Sequence, residues 1–360
     1  MVGAMVISRT ARVLLAIALA GCGGPPVGGG RVAPTPVVVA SSAPASPAVT
    51  VVGRAPVAAD GGRTRVTADQ ATADAIAKLE AFIAAHGDQP AMVADALLRL
   101  GAIHLDVADD AVERDDEAAV GAATRAAIAA LTRLVDRYPT DPRHDDALYL
   151  LGYARQQGGD RAGALVAYEA VAARPDSSHA LEARFRVGEL HFEAGELDAA
   201  VAAYAAVAGS DDDRFAPIAR YKLGWSHYKR GAYPDAIAAF QVLVDLADGG
   251  ATGAAADLRI EAIEYLALSL TEADWDGDGA DDRPPPGAPA TATVARVDAY
   301  LGDASSPSRR AAAEKAADAL VDEARYPEAR AIYRLVLDAT AEPAARARLT
   351  ASLARLGTGS

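Results

Sequence analysis

Few residues in this chain could do chemistry, and their spacing limits what that chemistry could be. Ser226-His-Tyr-Lys229 sets a hydroxyl and an amine three positions apart, the S-x-x-K spacing in which a lysine can serve a serine nucleophile. The S-D-N and K-T-G elements that complete such a site are absent, so no enzymatic activity is expected. The six histidines fall into no metal-ligand spacing, and H-E-x-x-H does not occur. His104, His191 and His227 share one position of a repeat set out below, which predicts packed, hydrogen-bonded core histidines. The best metal candidate is the run Asp274-Trp-Asp276-Gly-Asp278-Gly-Ala-Asp281-Asp282. Carboxylates at Asp274, Asp276, Asp278 and Asp282 could surround one hard cation, with glycine permitting the sharp turn. No cofactor is expected beyond structural calcium at this run, the alternative being a solvated acidic loop leading into Pro284-Pro-Pro-Gly287.

That D-x-D-x-D-G core resembles the calcium loops of EF-hand and thrombospondin type. It departs from an EF-hand at the twelfth position, which is Pro285 in place of a bidentate glutamate.

The elements that would position these groups follow from composition. Of 360 residues 90 are Ala and none is Asn, and aromatics make up 5%. Strands draw on β-branched and aromatic side chains, so a sandwich or barrel is disfavoured and an all-α fold is expected. The formal charge is −14, with 31 of the 35 basic residues Arg. An acidic chain without a basic footprint is not expected to bind nucleic acid.

Three segments align without gaps: Ala147–Val171, Ala183–Val207 and Ala219–Leu243. Gly152, Gly188 and Gly224 are 36 residues apart. Seven residues on stand Gly159, Gly195 and Gly231, then Ala164, Ala200 and Ala236, then Tyr168, Tyr204 and Phe240. Small residues at the first glycine and the alanine let two antiparallel helices approach closely. The aromatic, with Val171, Val207 or Leu243, is expected to bury against the following pair, since one pair cannot cover its own apolar face. These landmarks resemble the tetratricopeptide repeat, departing at its Trp-like position, which here is Leu148, Arg184 and Arg220. The resemblance implies an all-α solenoid of antiparallel helix pairs over residues 67–357. Upstream, the stretches from Ala75 to Pro90 and Ala127 to Pro142 look like second helices, and Leu97 to His104 like a first helix. Downstream, Leu258–Glu272 looks like a first helix, Ala311–Leu337 like a pair with Tyr326, Ala329 and Tyr333 as landmarks, and Pro343–Leu356 like a cap. Insertions are expected near 106–121 and 273–292.

In that family first helices line a concave groove. The corresponding positions hold Tyr149, Tyr153, Phe185, Phe192, Tyr221, Trp225 and Tyr228, seven of 19 aromatics, interleaved with Gln156, Arg186, Lys222 and Lys229. Rigid rings with basic neighbours would suit an extended peptide bearing acidic or apolar side chains. The same rings could serve as stacking platforms for a sugar.

The N-terminus reads as an address. Arg9 and Arg12 precede the apolar run Val13–Ala20, too short to span a bilayer, which ends in Leu19-Ala20-Gly21-Cys22. This resembles the bacterial lipoprotein signal peptide (residues 1–21), which implies cleavage before Cys22, the only cysteine, and its lipidation. The formal charge then moves from −14 to −16, since two arginines and no acids leave. Gly23 follows, where the family uses Asp for inner-membrane retention, so the outer membrane is implied. Residues 22–66 hold seven Pro and eight Gly after the cysteine and predict a disordered tether with a root-mean-square reach of about 35 Å. A closer likeness, carried by YKLGWSHYKRGAYPDAIAAF, is to tetratricopeptide lipoproteins of the Gram-negative envelope, including those of the β-barrel assembly machinery and the Tol–Pal system. It implies a periplasmic scaffold for envelope proteins or peptides, anchored to the membrane through Cys22. The alternative is an envelope adaptor for peptidoglycan or an exported polysaccharide.

Overall fold

A computed structural model describes residues 68–275, 292–302 and 306–357. Among the described residues there are fourteen helices and no strand: α1 (Ala68–Ala85), α2 (Pro90–Glu113), α3 (Glu117–Arg137), α4 (His144–Gln157), α5 (Arg161–Ala172), α6 (Ala180–Glu193), α7 (Leu197–Ala208), α8 (Ala216–Lys229), α9 (Tyr233–Asp248), α10 (Ala254–Thr271), α11 (Ala292–Leu301), α12 (Pro307–Asp322), α13 (Tyr326–Asp338) and α14 (Pro343–Gly357). The chain divides into two compact units, one ending at Ala183 and one beginning at Arg184, with the division inside α6.

Each helix pair closes in the same way. The turn residue is left-handed at Gly159, Gly195 and Gly231, with φ of +76°, +74° and +73°. The next amide then reaches back over the helix end, Asp160 N to Arg155 O at 2.8 Å, Glu196 N to His191 O at 2.9 Å and Ala232 N to His227 O at 3.0 Å. This satisfies a carbonyl that would otherwise be orphaned. Asp115 and Ala324 take the same place in the α2–α3 and α12–α13 turns, at φ 57° and 58°. Proline in the first turn starts α2, α8, α9, α12 and α13, where its missing N–H costs nothing. Asp116 and Asp160 cap α3 and α5, accepting from the amides of Ala119 and Gly163.

The helical glycines are seats for rings. A Cβ on Gly152 would lie 2.8 Å from Tyr168, on Gly188 2.7 Å from Tyr204, and on Gly224 2.6 Å from Phe240. The second-helix ring therefore packs on its own pair. Phe240 also reaches the following helix, stacking on Tyr265 of α10 at 5.9 Å. In α2–α3 the seat is Gly101, and Leu131 occupies it. Ala164, Ala200, Ala236 and Ala329 are completely buried.

Residues 106–121 are helical except for the turn at 114–116. They lengthen the pair, and α2 reaches 24 residues and α3 21, against 14 and 12 for α4 and α5. Leu105, Ala108 and Ala111 are buried at helical spacing beneath the acidic residues. Sequence reasoning also missed α11, whose Thr293, Val297 and Leu301 are buried at intervals of four. Arg325 fixes that helix in place. Its guanidinium donates to Thr271 O at 3.0 Å and Thr293 Oγ1 at 2.9 Å, and pairs with Glu328 at 2.6 Å.

Candidate functional site

Gly152 faces the second helix of its pair, and Tyr149 is three residues before it on the same face. Tyr149 must therefore turn inward, and it meets Tyr168 with ring centroids 5.7 Å apart. Phe185 and Tyr204 repeat this at 5.7 Å, and Tyr221 and Phe240 at 6.0 Å. The rings expected to line a groove are consequently interior. Phe185 and Tyr221 are 1% exposed, and Tyr149, Tyr153, Phe192 and Trp225 are buried as well. As they stand, these six rings offer no open face to a peptide or a sugar.

The basic neighbours are corrected for the same reason. Lys222 is 1% exposed, with its ammonium 3.2 Å from Glu189 Oε1 and 3.3 Å from Oε2. Tyr204 donates its hydroxyl to the same carboxylate. The charge of Lys222 is thus answered inside unit two, between α6 and α8, and Arg186 is buried too. Three of the expected residues keep access to solvent. Gln156 is half-buried and accepts from Tyr168 Oη at 3.2 Å. Tyr228 is half-buried and donates to Glu272. Lys229 is exposed, its ammonium 4.7 Å from the Phe192 ring centroid.

Tyr265 is the residue that the sequence reading missed. It is buried in α10 with Trp225 at 4.2 Å, Tyr228 at 6.2 Å and Tyr221 at 6.4 Å. The signal was a ring 44 residues after Tyr221, one period plus eight residues, hidden because α9 and α10 run to 16 and 18 residues where α7 and α8 have 12 and 14.

Ser226 is fully buried and its hydroxyl donates to Lys222 O at 2.8 Å, so it is spent on its own helix. The recurrent histidines are half-buried and not core. His191 meets Glu196 at 2.6 Å, and His227 Nδ1 has no hydrogen-bond partner among the described residues. Burial lowers the pKa of His104 and of His227. A different histidine cluster ties the α5–α6 connection to the start of α4. His179 pairs with Asp146 at 2.9 Å and stacks on Tyr149 at 4.7 Å, and Arg174 bonds both Asp145 and His144 Nδ1, the latter at 2.9 Å.

Of the calcium candidates, Asp276, Asp278 and Asp282 lie outside the described residues, as do Cys22 and the tether. Asp274 is within them, beside Trp275, which stacks on Tyr233 at 6.3 Å and lies under the Arg296 guanidinium at 4.3 Å. Among the described residues no three His, Cys, Asp or Glu side chains are grouped to hold a metal ion. Two open cavities lie in unit one. One of about 510 Å³ sits at the α2–α3 turn, and one of about 460 Å³ lies between α1 and α2 beside Arg143.

Left-handed turns, ring-on-glycine seats and consecutive antiparallel pairs define an all-α solenoid of tetratricopeptide type. The tetratricopeptide-repeat family model matches residues 122–180, 154–215 and 188–251, which together run from α3 to the end of α9. Those matches support placing the chain in the tetratricopeptide superfamily, whose repeats suggest a scaffold for protein interactions. Comparison with curated proteins gives no match.

Proposed function

We propose that the chain is an outer-membrane lipoprotein, anchored through acyl chains on Cys22, that presents a periplasmic scaffold to protein or peptide partners in envelope assembly or maintenance. The observation that carries the scaffold reading is the run of repeats matched from 122 to 251, whose chemistry-bearing side chains are consumed in packing. The anchor rests on Arg9, Arg12, the short apolar run and Leu19-Ala20-Gly21-Cys22. Several acyl chains at one residue hold a protein at a membrane, since each buried CH₂ contributes about 0.8 kcal/mol. The first-helix residues that stay accessible are Gln156 in unit one and Tyr228 and Lys229 in unit two, so partner contact is assigned to those side chains within each unit and not to the buried rings. The acidic run Asp274–Asp282 is proposed as a calcium loop, and Asp276→Ala/Asp278→Ala should remove heat of calcium binding in calorimetry. Absence of heat in the unaltered chain at millimolar calcium would end that part of the proposal.

Metabolic labelling with an alkyne fatty acid tests the anchor. The chain should take up label and fractionate with outer membrane, and Cys22→Ser should lose both. Label on the Cys22→Ser chain would contradict the assignment.

A further inference from the structure

The lengthened α2–α3 pair leaves a step in unit one. Gly158, just past the end of α4, lies beside Thr124, and a Cβ there would be 3.5 Å from the threonine methyl. Residues 117–123 of α3 therefore run on past α4 for about 10 Å, at 1.5 Å per residue. The 510 Å³ cavity lies on that overhang. Val112, Val120 and Ile128 give it apolar walls, and Val112 is 60% exposed. Asp115, Asp116 and Glu117 stand on its rim, against Arg125 as the one cation in the lining.

Two further observations bear on what could occupy it. Thr124 lines the cavity, is 97% buried, and has a hydroxyl with no hydrogen-bond partner among the described residues. A buried hydroxyl left unsatisfied costs about 1–3 kcal/mol, which a ligand's polar group would recover. The surroundings are also strongly negative. Asp106, Asp109, Asp110 and Glu113 precede the rim acids, with Arg114 the only base between residues 106 and 117. Burial raises the pKa of Asp109, and Asp106, Asp110 and Glu113 raise it further against the opposing bond from Tyr153. An exposed valine beside clustered carboxylates and an orphan hydroxyl fits an extended segment with a cation next to an apolar side chain.

We propose that this step is a docking site for a basic segment of a protein partner, its lysine or arginine among Asp115 and Glu117 and its apolar neighbour on Val112 and Val120. The site lies at the α2–α3 turn of unit one and shares with the scaffold reading the premise that the partner is a protein. It makes the α2–α3 extension an acidic reader.

The test is fluorescence anisotropy on the full chain with labelled acetyl-Lys-Val-Lys-Val-Lys and its Glu-for-Lys counterpart. The lysine peptide should bind and the glutamate peptide should not, and binding should weaken with salt as the Debye length shortens. Glu113→Lys/Glu117→Lys, at two exposed positions, should cost at least tenfold for the lysine peptide and create affinity for the glutamate peptide. Val112→Ser and Thr124→Val should each weaken the lysine peptide several-fold with the helical signal unchanged, which keeps the test valid should the charge reversal unfold. Equal binding of the two peptides, or variants without effect, would overturn the proposal. Tighter peptide binding in Arg63→Glu/Arg65→Glu would also overturn it, because the chain's own N-terminal segment would then be the occupant. None of these outcomes bears on crosslinks formed from Lys229, which test the scaffold itself.

Discussion

Phe240 sits on Gly224: a single methyl group at that glycine would come within 2.6 Å of the ring edge. The same fit joins Gly188 to Tyr204 and Gly152 to Tyr168, one period apart each time. It accounts for the 36-residue spacing physically, because the closeness of each helix pair depends on a missing side chain under a ring.

Replacing such a glycine by alanine should therefore destabilise through overpacking, at about 1–3 kcal/mol. Gly224→Ala should lower the thermal midpoint by several degrees. Gly87→Ala, where an added Cβ meets nothing within 4 Å, should leave it nearly unchanged. Comparable midpoints for the two variants would refute the seat.

The left-handed turn makes an opposite prediction. Ala324 holds φ 58° where three other pairs use glycine. A side chain in that region costs about 1–2 kcal/mol, so Ala324→Gly should stabilise by roughly 1 kcal/mol after the entropy of glycine is deducted. Gly195→Ala should destabilise by a similar amount. Urea unfolding midpoints will show whether the two substitutions move in opposite directions.

The buried ion pair invites a double-mutant cycle. Lys222→Ala leaves Glu189 buried beside Tyr204 without its cation, and breaking a buried pair in this way costs about 3–5 kcal/mol. Lys222→Met with Glu189→Leu should be much milder, since neither charge is then stranded. A double variant whose loss equals the sum of the Lys222→Met and Glu189→Leu losses would mean that the pair is not coupled.

Acid should weaken the fold before its carboxylates titrate. His144 has its pKa lowered by burial and then by Arg174, which donates to Nδ1, while Asp145 opposes. His104 and His227 are lowered by burial as well. With folded values below the unfolded value of about 6.5, the unfolded chain binds protons first. Stability should be full above that value and decline as the pH falls below about 6.5. His144→Gln should flatten the decline, and an unchanged slope in that variant would exclude this histidine.

Much of the architecture was legible because glycine, alanine and ring recur at fixed offsets that only a repeat explains. The fate of the rings was legible too, in principle: Tyr149 and Gly152 are three apart and must share the face that Tyr168 covers. Treating first-helix aromatics as a groove overlooked that constraint. The extension at 106–117 was obscured by its acids, although Leu105, Ala108 and Ala111 mark a buried helical stripe. Tyr265 and α11 fell outside the strict period, where α9 and α10 lengthen and residues 276–291 intervene.

The central claim is that this chain gathers protein partners, and a photocrosslinker placed at Lys229 in living cells tests it most directly. The account predicts discrete protein adducts, identified by mass spectrometry, that depend on Cys22 for their abundance. Absence of protein adducts, or adducts to cell-wall glycan alone, would contradict it.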